Sequence, residues 1–219
     1  MVDASHEYSQ VHVEQATLSD VPSLSTIVPR AFFHISTFHR QAWPDTPTVR
    51  AWWSRVFDNE INSPDCHVIA ALNSEAAEPL RVVGFLTTRV LEADDRTAGL
   101  LSLHDLTEDH NIALLLPAKE AWVESRSSIF AGTGQKHFLL ELLGVDHAHE
   151  GKGLGSRMLR MACEIADGAG HPIFVEANGT ATGFYLKFGF KLVGPEVSLS
   201  ANEIREQKLC RLVRPALRC

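Results

Sequence analysis

The chain has 219 residues, 45% hydrophobic and 21% charged, with 20 lysines and arginines against 27 aspartates and glutamates, a formal net charge of −7. That is the composition of an ordinary soluble globular protein. No run reaches the roughly 18 apolar residues of a membrane span, and an acidic chain without a basic block lacks the charge with which nucleic-acid binders neutralise phosphate.

The N-terminal MVDASHEYSQ carries acid rather than base and has no apolar core, so no secretory signal is expected and the chain reads as cytoplasmic. Residues 11–14 alternate apolar and polar, the pattern of a first strand. Leu18-Ser19-Asp20-Val21-Pro22 places an acid at a helix N-cap with proline just inside, predicting a helix to about Phe33. Asp45-Thr46-Pro47 starts a second helix, with Val49, Trp52, Trp53, Val56, Phe57 and Ile61 at helical spacing; these tryptophans, with Trp43, read chiefly as core. Residues 66–72 and 81–91 read as two strands of a hairpin joined by the loop NSEAAEPL.

The pattern weakens over residues 92–136, where a helix is expected only at 114–123, with Leu115, Trp122 and Val123 sharing a face with Ile129. Residues 137–145, HFLLELLGV, form an apolar run suited to a central strand covered on both faces. The loop HEGKGLGS follows, then a helix over about 153–167 with Leu154, Met158, Met161, Ala162 and Ile165 on its buried face and Gly168 and Gly170 at its end. Residues 172–177 are another strand, so strand, helix and strand make a parallel βαβ unit. TGFYLKFGF predicts a short helix ending at Gly189, a strand from Phe190, and a last strand over 208–213. There is no internal repeat and no linker, which implies one domain over residues 1–219.

Cys66, Cys163, Cys210 and Cys219 lie far apart without a CxxC pair, so they read as reduced core or tail residues. His104, Asp105, Glu108 and His110, and the pair His147 and His149, contain ligand-type side chains. They lack a helix-fixed spacing and read as solvated polar surface; no metal is expected. The loop Glu150-Gly151-Lys152-Gly153-Leu154-Gly155-Ser156 is chemically richer. It sits between a strand and a helix N-terminus, where free N–H groups and the helix dipole favour an anion, with Lys152 and Arg157 adding positive charge. It is neither GxxxxGK[ST] nor GxGxxG, which disfavours a nucleotide triphosphatase or a dehydrogenase. A tight strand-to-helix turn with no ligand is the plainer alternative.

Residues 137–193 resemble the acetyl-CoA-binding half of the GNAT acetyltransferase superfamily. Its signature, [QR]-x-x-G-x-[GA] after an apolar strand, corresponds here to Glu150, Gly153 and Gly155. Glu176-Ala177-Asn178 and the segment Gly183-Phe184-Tyr185-Leu186-Lys187-Phe188-Gly189-Phe190 resemble the family's tyrosine helix, and VHVEQATLSDVPSL resembles its opening. Ala166-Asp167 and the tyrosine segment look most like small fungal members. Glu150 departs from the family's glutamine or arginine; the expectation is that it points to solvent and offers only its N–H.

The resemblance implies a mixed central α/β sheet, splayed between its fourth and fifth strands and flanked by helices. It implies acetyl-CoA as acyl donor and transfer to the amine of a small molecule by direct attack, in a monomer or homodimer. The backbone of Glu150, Gly151, Lys152, Gly153, Leu154, Gly155 and Ser156 would hold the pyrophosphate. Leu143, Gly144 and Val145 would lie alongside the acetyl and pantetheine groups, Asn178 and Phe184 would contact the cofactor, and Tyr185 would be the general acid. Glu141, on the strand face of Leu139, Leu143 and Val145, is the candidate base; the alternatives are that it binds a neighbouring basic side chain or reads the amine without taking its proton, with Glu176 as the second choice. A non-catalytic acyl-CoA sensor and an acetyltransferase of protein lysines or N-termini are the rival functions.

Overall fold

The computed structural model describes residues 10–96, 104–201 and 204–217, which leaves Cys219 outside the described residues. The chain divides into two compact units that interleave in sequence. One comprises Met1–Thr87, Thr107–His110 and Leu142–Ala162, the other Thr88–Leu106, Asn111–Glu141 and Cys163–Cys219.

The first unit holds β1 (Val11–Gln15), α1 (Val21–Phe32), α2 (Thr37–Ala42), α3 (Pro47–Asn62) and β2 (Cys66–Asn73). It also holds most of β3 (Val82–Leu91), the end of β4 (His137–Val145) and the start of α5 (Leu154–Ala169). β1 pairs antiparallel with β2, from Val11↔Asn73 to Gln15↔Ile69. α3 starts as expected, with the Thr46 hydroxyl accepting from the Val49 N–H at 3.3 Å. α1 differs in detail. Asp20 does not cap it; its carboxylate turns back to accept from the Thr17 N–H and hydroxyl at 2.8 and 2.9 Å, closing the 3-10 turn Leu18–Asp20 that precedes the helix. α2 is unforeseen because its six residues are too few to show a period; the Ser36 hydroxyl caps it by accepting from the His39 N–H at 3.2 Å.

The tryptophans do build the core: Trp43, Trp52 and Trp53 are buried with Phe57 and Phe85. Gly144 of β4 shows how tightly this core closes. A Cβ there would stand 2.9 Å from the Ala31 Cβ, the Phe32 Cζ and the Phe85 Cε1, so only glycine lets α1 and β3 approach the strand.

The second unit holds the end of β3, α4 (Ile112–Phe130), the start of β4, the end of α5, β5 (Ile173–Asn178) and α6 (Gly179–Leu186). β6 (Lys191–Leu192), β7 (Val197–Ala201) and β8 (Ile204–Arg214) complete it. β4 and β5 are parallel, as the βαβ reading requires, but their ladder runs only from Phe138↔Ile173 to Leu140↔Val175. Residues 141–145 of β4 and 176–178 of β5 lie beyond its last pair. β5 stays paired along its whole length to antiparallel β8, Glu176 standing opposite Arg211. Along the mixed sheet the strands follow the order β1-β2-β3-β4-β5-β8-β6, with β7 on β8.

Three expectations need correction in this region. α4 is much longer than 114–123, because Asn111 caps it, accepting from the Leu114 N–H at 3.2 Å, and because it runs on through the polar stretch 124–128 to Phe130. Its buried residues include Leu115, Ala118, Val123, Arg126 and Phe130, while Trp122 and Ile129 are only partly covered. The buried face of α5 is Leu154, Met158, Leu159, Ala162, Cys163 and Ala166; Met161 and Ile165 are part-exposed. The helix also passes through Gly168. It ends at Gly170 (φ +72°), where the Gly170 N–H bonds to the Asp167 carbonyl and the His171 N–H to the Ala166 carbonyl, the paired closure of a left-handed helix stop. Finally, β7 was not foreseen and β8 begins at Ile204, before the expected 208. Among the described residues no helix is long and apolar enough to cross a membrane.

Candidate active site

In the first unit, the end of β4 leads into the glycine-rich loop. Gly144 is buried, while Leu143 and Val145 point to the half-covered face. Asp146 then anchors the turn: its Oδ1 accepts from the Ala148 N–H at 3.0 Å, its Oδ2 forms an ion pair with Arg30, and Arg30 also donates to the Val82 carbonyl at 2.8 Å. Gly151 and Gly153 follow with φ of +73° and +75°, a conformation that L side chains rarely adopt. A Cβ built on either meets nothing within 4 Å, so the turn borders open space. α5 begins immediately, and its first backbone bond runs from the Arg157 N–H to the Gly153 carbonyl at 3.1 Å. The N–H groups of Leu154, Gly155 and Ser156 therefore have no intrahelical acceptor, and they sit at the positive end of a 16-residue helix. This arrangement fits a diphosphate.

Two expectations for the loop change. The Glu150 side chain is 48% exposed, but its Oε1 lies 2.9 Å from the His34 Nε2, and the ring of His34 meets that of His147 at 5.1 Å. Its N–H, expected to serve an anion, is directed at the His147 carbonyl at 3.4 Å. Arg157 does not stand free beside the loop either: its guanidinium donates to the Val11 carbonyl at 2.9 Å. Lys152 is half-exposed.

In the second unit, α6 exists because Asn178 caps it, its Oδ1 accepting from the Ala181 N–H at 2.9 Å and the Thr180 hydroxyl at 2.7 Å. Tyr185 is 6% exposed, with Phe184 and Phe190 edge-on to its ring at 5.2 and 5.4 Å. Phe184 and Phe188 are only partly buried, so the tyrosine itself anchors the helix. Burial raises its hydroxyl well above the usual tyrosine range, and among the described residues that hydroxyl has no hydrogen-bond partner. It stays protonated at neutral pH and keeps its proton available to donate.

The same unit contains a buried charge cluster. The Glu141 side chain is 1% exposed and its Oε1 lies 3.6 Å from the Arg89 Nε. Glu176 has one oxygen, Oε1, sealed from solvent and without a hydrogen-bond partner among the described residues. Burial pushes its carboxyl up to about 7, against the opposing effects of the Ser125 hydroxyl and the Arg126 and Arg211 guanidiniums. Arg126 is buried on α4, its guanidinium donating to the Asp95 carbonyl at 2.6 Å and feeling the carboxylates of Asp95, Glu176 and Glu141. Arg211, also buried, donates to the Ser128 hydroxyl at 2.7 Å and to the Pro195 carbonyl at 3.0 Å. Sequence reasoning singled out the two glutamates and missed the three arginines. The available signal was an arginine set among apolar neighbours in TTRVL and CRLV.

Of the other histidines, His104 is exposed with Asp105 and Glu108, but His110 is not surface. It is buried against the Trp52 ring at 4.9 Å, with its Nδ1 2.8 Å from the Thr107 hydroxyl. Burial also holds His137, stacked on Phe130 at 3.8 Å, down at about 4. Among the described residues no three His, Cys, Asp or Glu side chains are grouped to hold a metal ion.

Residues 30–190 match the family model described as acetyltransferase (GNAT) family. No curated protein matches the sequence. Among solved structures, an agmatine N-acetyltransferase variant in its apo form is similar at 14% identity, with 94% of this chain and 99% of that chain covered and a TM-score of 0.64. An arylalkylamine N-acetyltransferase from Aedes aegypti is similar at 14% identity over the same shares, with a TM-score of 0.63. A histone acetyltransferase HPA2-related protein from Corynebacterium glutamicum is similar at 20% identity, covering 95% and 98%, with a TM-score of 0.57.

Proposed function

Since the chain belongs to the GNAT acetyltransferase family, and is therefore an acyltransferase that uses acetyl-CoA as donor, we propose that it acetylates the primary amine of a small molecule. The observation that carries this reading is the open left-handed turn at Gly151 and Gly153, which delivers the unbonded N–H groups of residues 154–156 to an anion of diphosphate size. Bound there, the coenzyme supplies an activated thioester. The chain's own residues do the rest. The end of β4, at Leu143, Gly144 and Val145, would lie alongside the acyl and pantetheine arm. The Tyr185 hydroxyl, kept protonated by burial, gives its proton to the departing sulfur.

A small cationic amine suits the acidic balance of the chain, which draws cations weakly at long range. Agmatine and arylalkylamines, named for two of the similar structures, are the first acceptors to try. The likeness to fungal members rests on Ala166-Asp167 and the tyrosine segment alone.

The test is a thiol-release assay with acetyl-CoA over polyamines, arylalkylamines, aminosugars, amino acids and peptides, with mass detection of the product. An increment of one acetyl group on an amine supports the reading. Tight coenzyme A binding by calorimetry with no thiol release would turn it into a non-catalytic sensor. Release only with peptides would make it a protein acetyltransferase.

A further inference from the structure

Direct attack on a thioester needs a group to receive the proton that the amine gives up. Glu141 was the first candidate, yet its carboxylate stands 3.6 Å from the Arg89 guanidinium. That ion pair commits the Glu141 carboxylate to Arg89. Glu176 is placed differently. In register it follows Val175, the last residue of β5 paired to β4, so it is the first position of β5 beyond the parallel ladder. Its other neighbour, β8, presents Arg211 directly across. α4 presents Ser125 and Arg126. The charges around it are therefore Arg126 and Arg211, with Glu141, Asp95 and His137 entering through their influence on or from Arg126. Both arginines already donate elsewhere, to Asp95, Ser128 and Pro195. Their charge reaches Glu176, but its Oε1 has no hydrogen-bond partner among the described residues, and the residue as a whole is only part-covered.

We propose that Glu176 is the proton acceptor of the transfer reaction, and that Glu141 is a positioning residue that holds Arg89. The inference rests on the N-acetylation reading above. The balance is simple. The ammonium of the acceptor gives its first proton to solvent, and the ionised Glu176 carboxylate takes the second as the nitrogen lone pair forms the new C–N bond. The C–S electron pair leaves with sulfur, which takes the Tyr185 proton. Solvent then carries the proton from Glu176 back to the phenolate. The raised carboxyl, at about 7, is matched to this task, since a base titrating near the working pH combines the correct ionisation state with proton-transfer driving force.

Two measurements test it. Carboxyl-carbon NMR of the protein without ligand, labelled at glutamate side chains, should show one group titrating near 7. That group should vanish in Glu176→Gln and persist in Glu141→Gln. The pH profile of kcat/KM with acetyl-CoA and phenethylamine, or whichever panel amine turns over, should show an acid limb near the same pH. Glu176→Gln should lose the limb and fall in kcat by roughly 10²–10⁴, Glu176→Asp should recover part of the rate, and Glu141→Gln should keep the limb. A wild type that turns over with Glu176→Gln inside threefold of it and the limb intact overturns the assignment while leaving the function standing. A glutamate still titrating near 7 in Glu176→Gln overturns it equally. Should Glu176→Gln fail to fold, the Glu176→Asp variant decides, because an unchanged limb and rate there count against the proposal. No thiol release by the wild type with any amine overturns the function reading, and this one with it.

Discussion

Glu176→Gln replaces a buried acid by a neutral amide of almost the same shape, and this makes the pH dependence of stability a direct reading of the site. The carboxyl sits at about 7 in the folded protein against an ordinary value of 4.5. Below 4.5 the folded and unfolded chains both carry the proton, and Glu176 adds no pH dependence. Between 4.5 and 7 the unfolded chain has lost the proton and the folded chain keeps it, so the folded state binds more protons and stability falls as pH rises, by up to about 1.4 kcal/mol per unit. Above 7 both states are ionised and the difference is constant. A shift of about 2.5 units is worth about 3 kcal/mol, so the wild type should lose about that much relative to Glu176→Gln between pH 4.5 and 8. Urea unfolding of both proteins at half-unit intervals, compared as a difference, measures this. Other titrating groups cancel in the subtraction. A flat difference would show that Glu176 ionises normally in the folded state; a difference growing with pH would show that Arg126 and Arg211 outweigh burial. Either result refutes the argument.

Gly153→Val should abolish coenzyme A binding by calorimetry while the far-UV spectrum is kept, because a β-branched side chain would fill the open space at a φ of +75° and strain a left-handed turn by roughly 1–2 kcal/mol; unchanged affinity would remove the loop from the site. Glu150→Gln should tighten coenzyme A binding modestly or leave it unchanged, since it removes a charge near the diphosphate, and a weakening beyond tenfold would show that the contact with His34 shapes the loop. Tyr185→Phe should lower kcat by roughly 10²–10⁴ with little change in coenzyme A affinity, because only the proton donor is lost; a rate within threefold of wild type, with chemistry limiting, would leave a water as the donor.

Much of this was legible before the fold was known, and the misses share a cause. β4 and the turn after it could be read because a long apolar run and three spaced glycines have few physical meanings. α3 could be read because Thr46 and Pro47 announce it. α2 was missed because six residues carry no period, and α4 was cut short because ESRSS, residues 124–128, breaks the apolar pattern although the helix runs on through it to Phe130. The rotated face of α5 reflects a tie in the pattern: Met161 and Ile165 are as apolar as Leu159 and Cys163, and packing alone chose between them. In the candidate site, Glu141 stood out as a carboxylate in an apolar strand, and Tyr185 through the resemblance of its segment to the family's tyrosine helix. Arg126 and Arg211 did not, since nothing local says that charges so far apart in sequence share one buried neighbourhood with Glu176.

The two tasks asked of the chain make opposite demands on burial, and that opposition separates their residues. Holding a diphosphate needs backbone N–H groups that face outward with nothing in front of them, which is why Gly151 and Gly153 border open space and carry the positive φ that only glycine takes at little cost. Moving protons near neutral pH needs the reverse. A carboxyl exposed to water titrates too low, so Glu176 must be buried before it can hold a proton near the working pH, whereas the Tyr185 phenol holds its proton there in either setting. Burial of Glu176 then demands countercharge, or the strand would not tolerate it. The two arginines supply that charge from α4 and β8 while spending their hydrogen bonds on carbonyls and a serine. Had either formed a short bidentate pair with Glu176, its carboxylate would be as inert as one already held by a guanidinium, and the cluster would be purely structural. Glu141, paired with Arg89 at 3.6 Å, is on this argument the strut, and Glu176 the base.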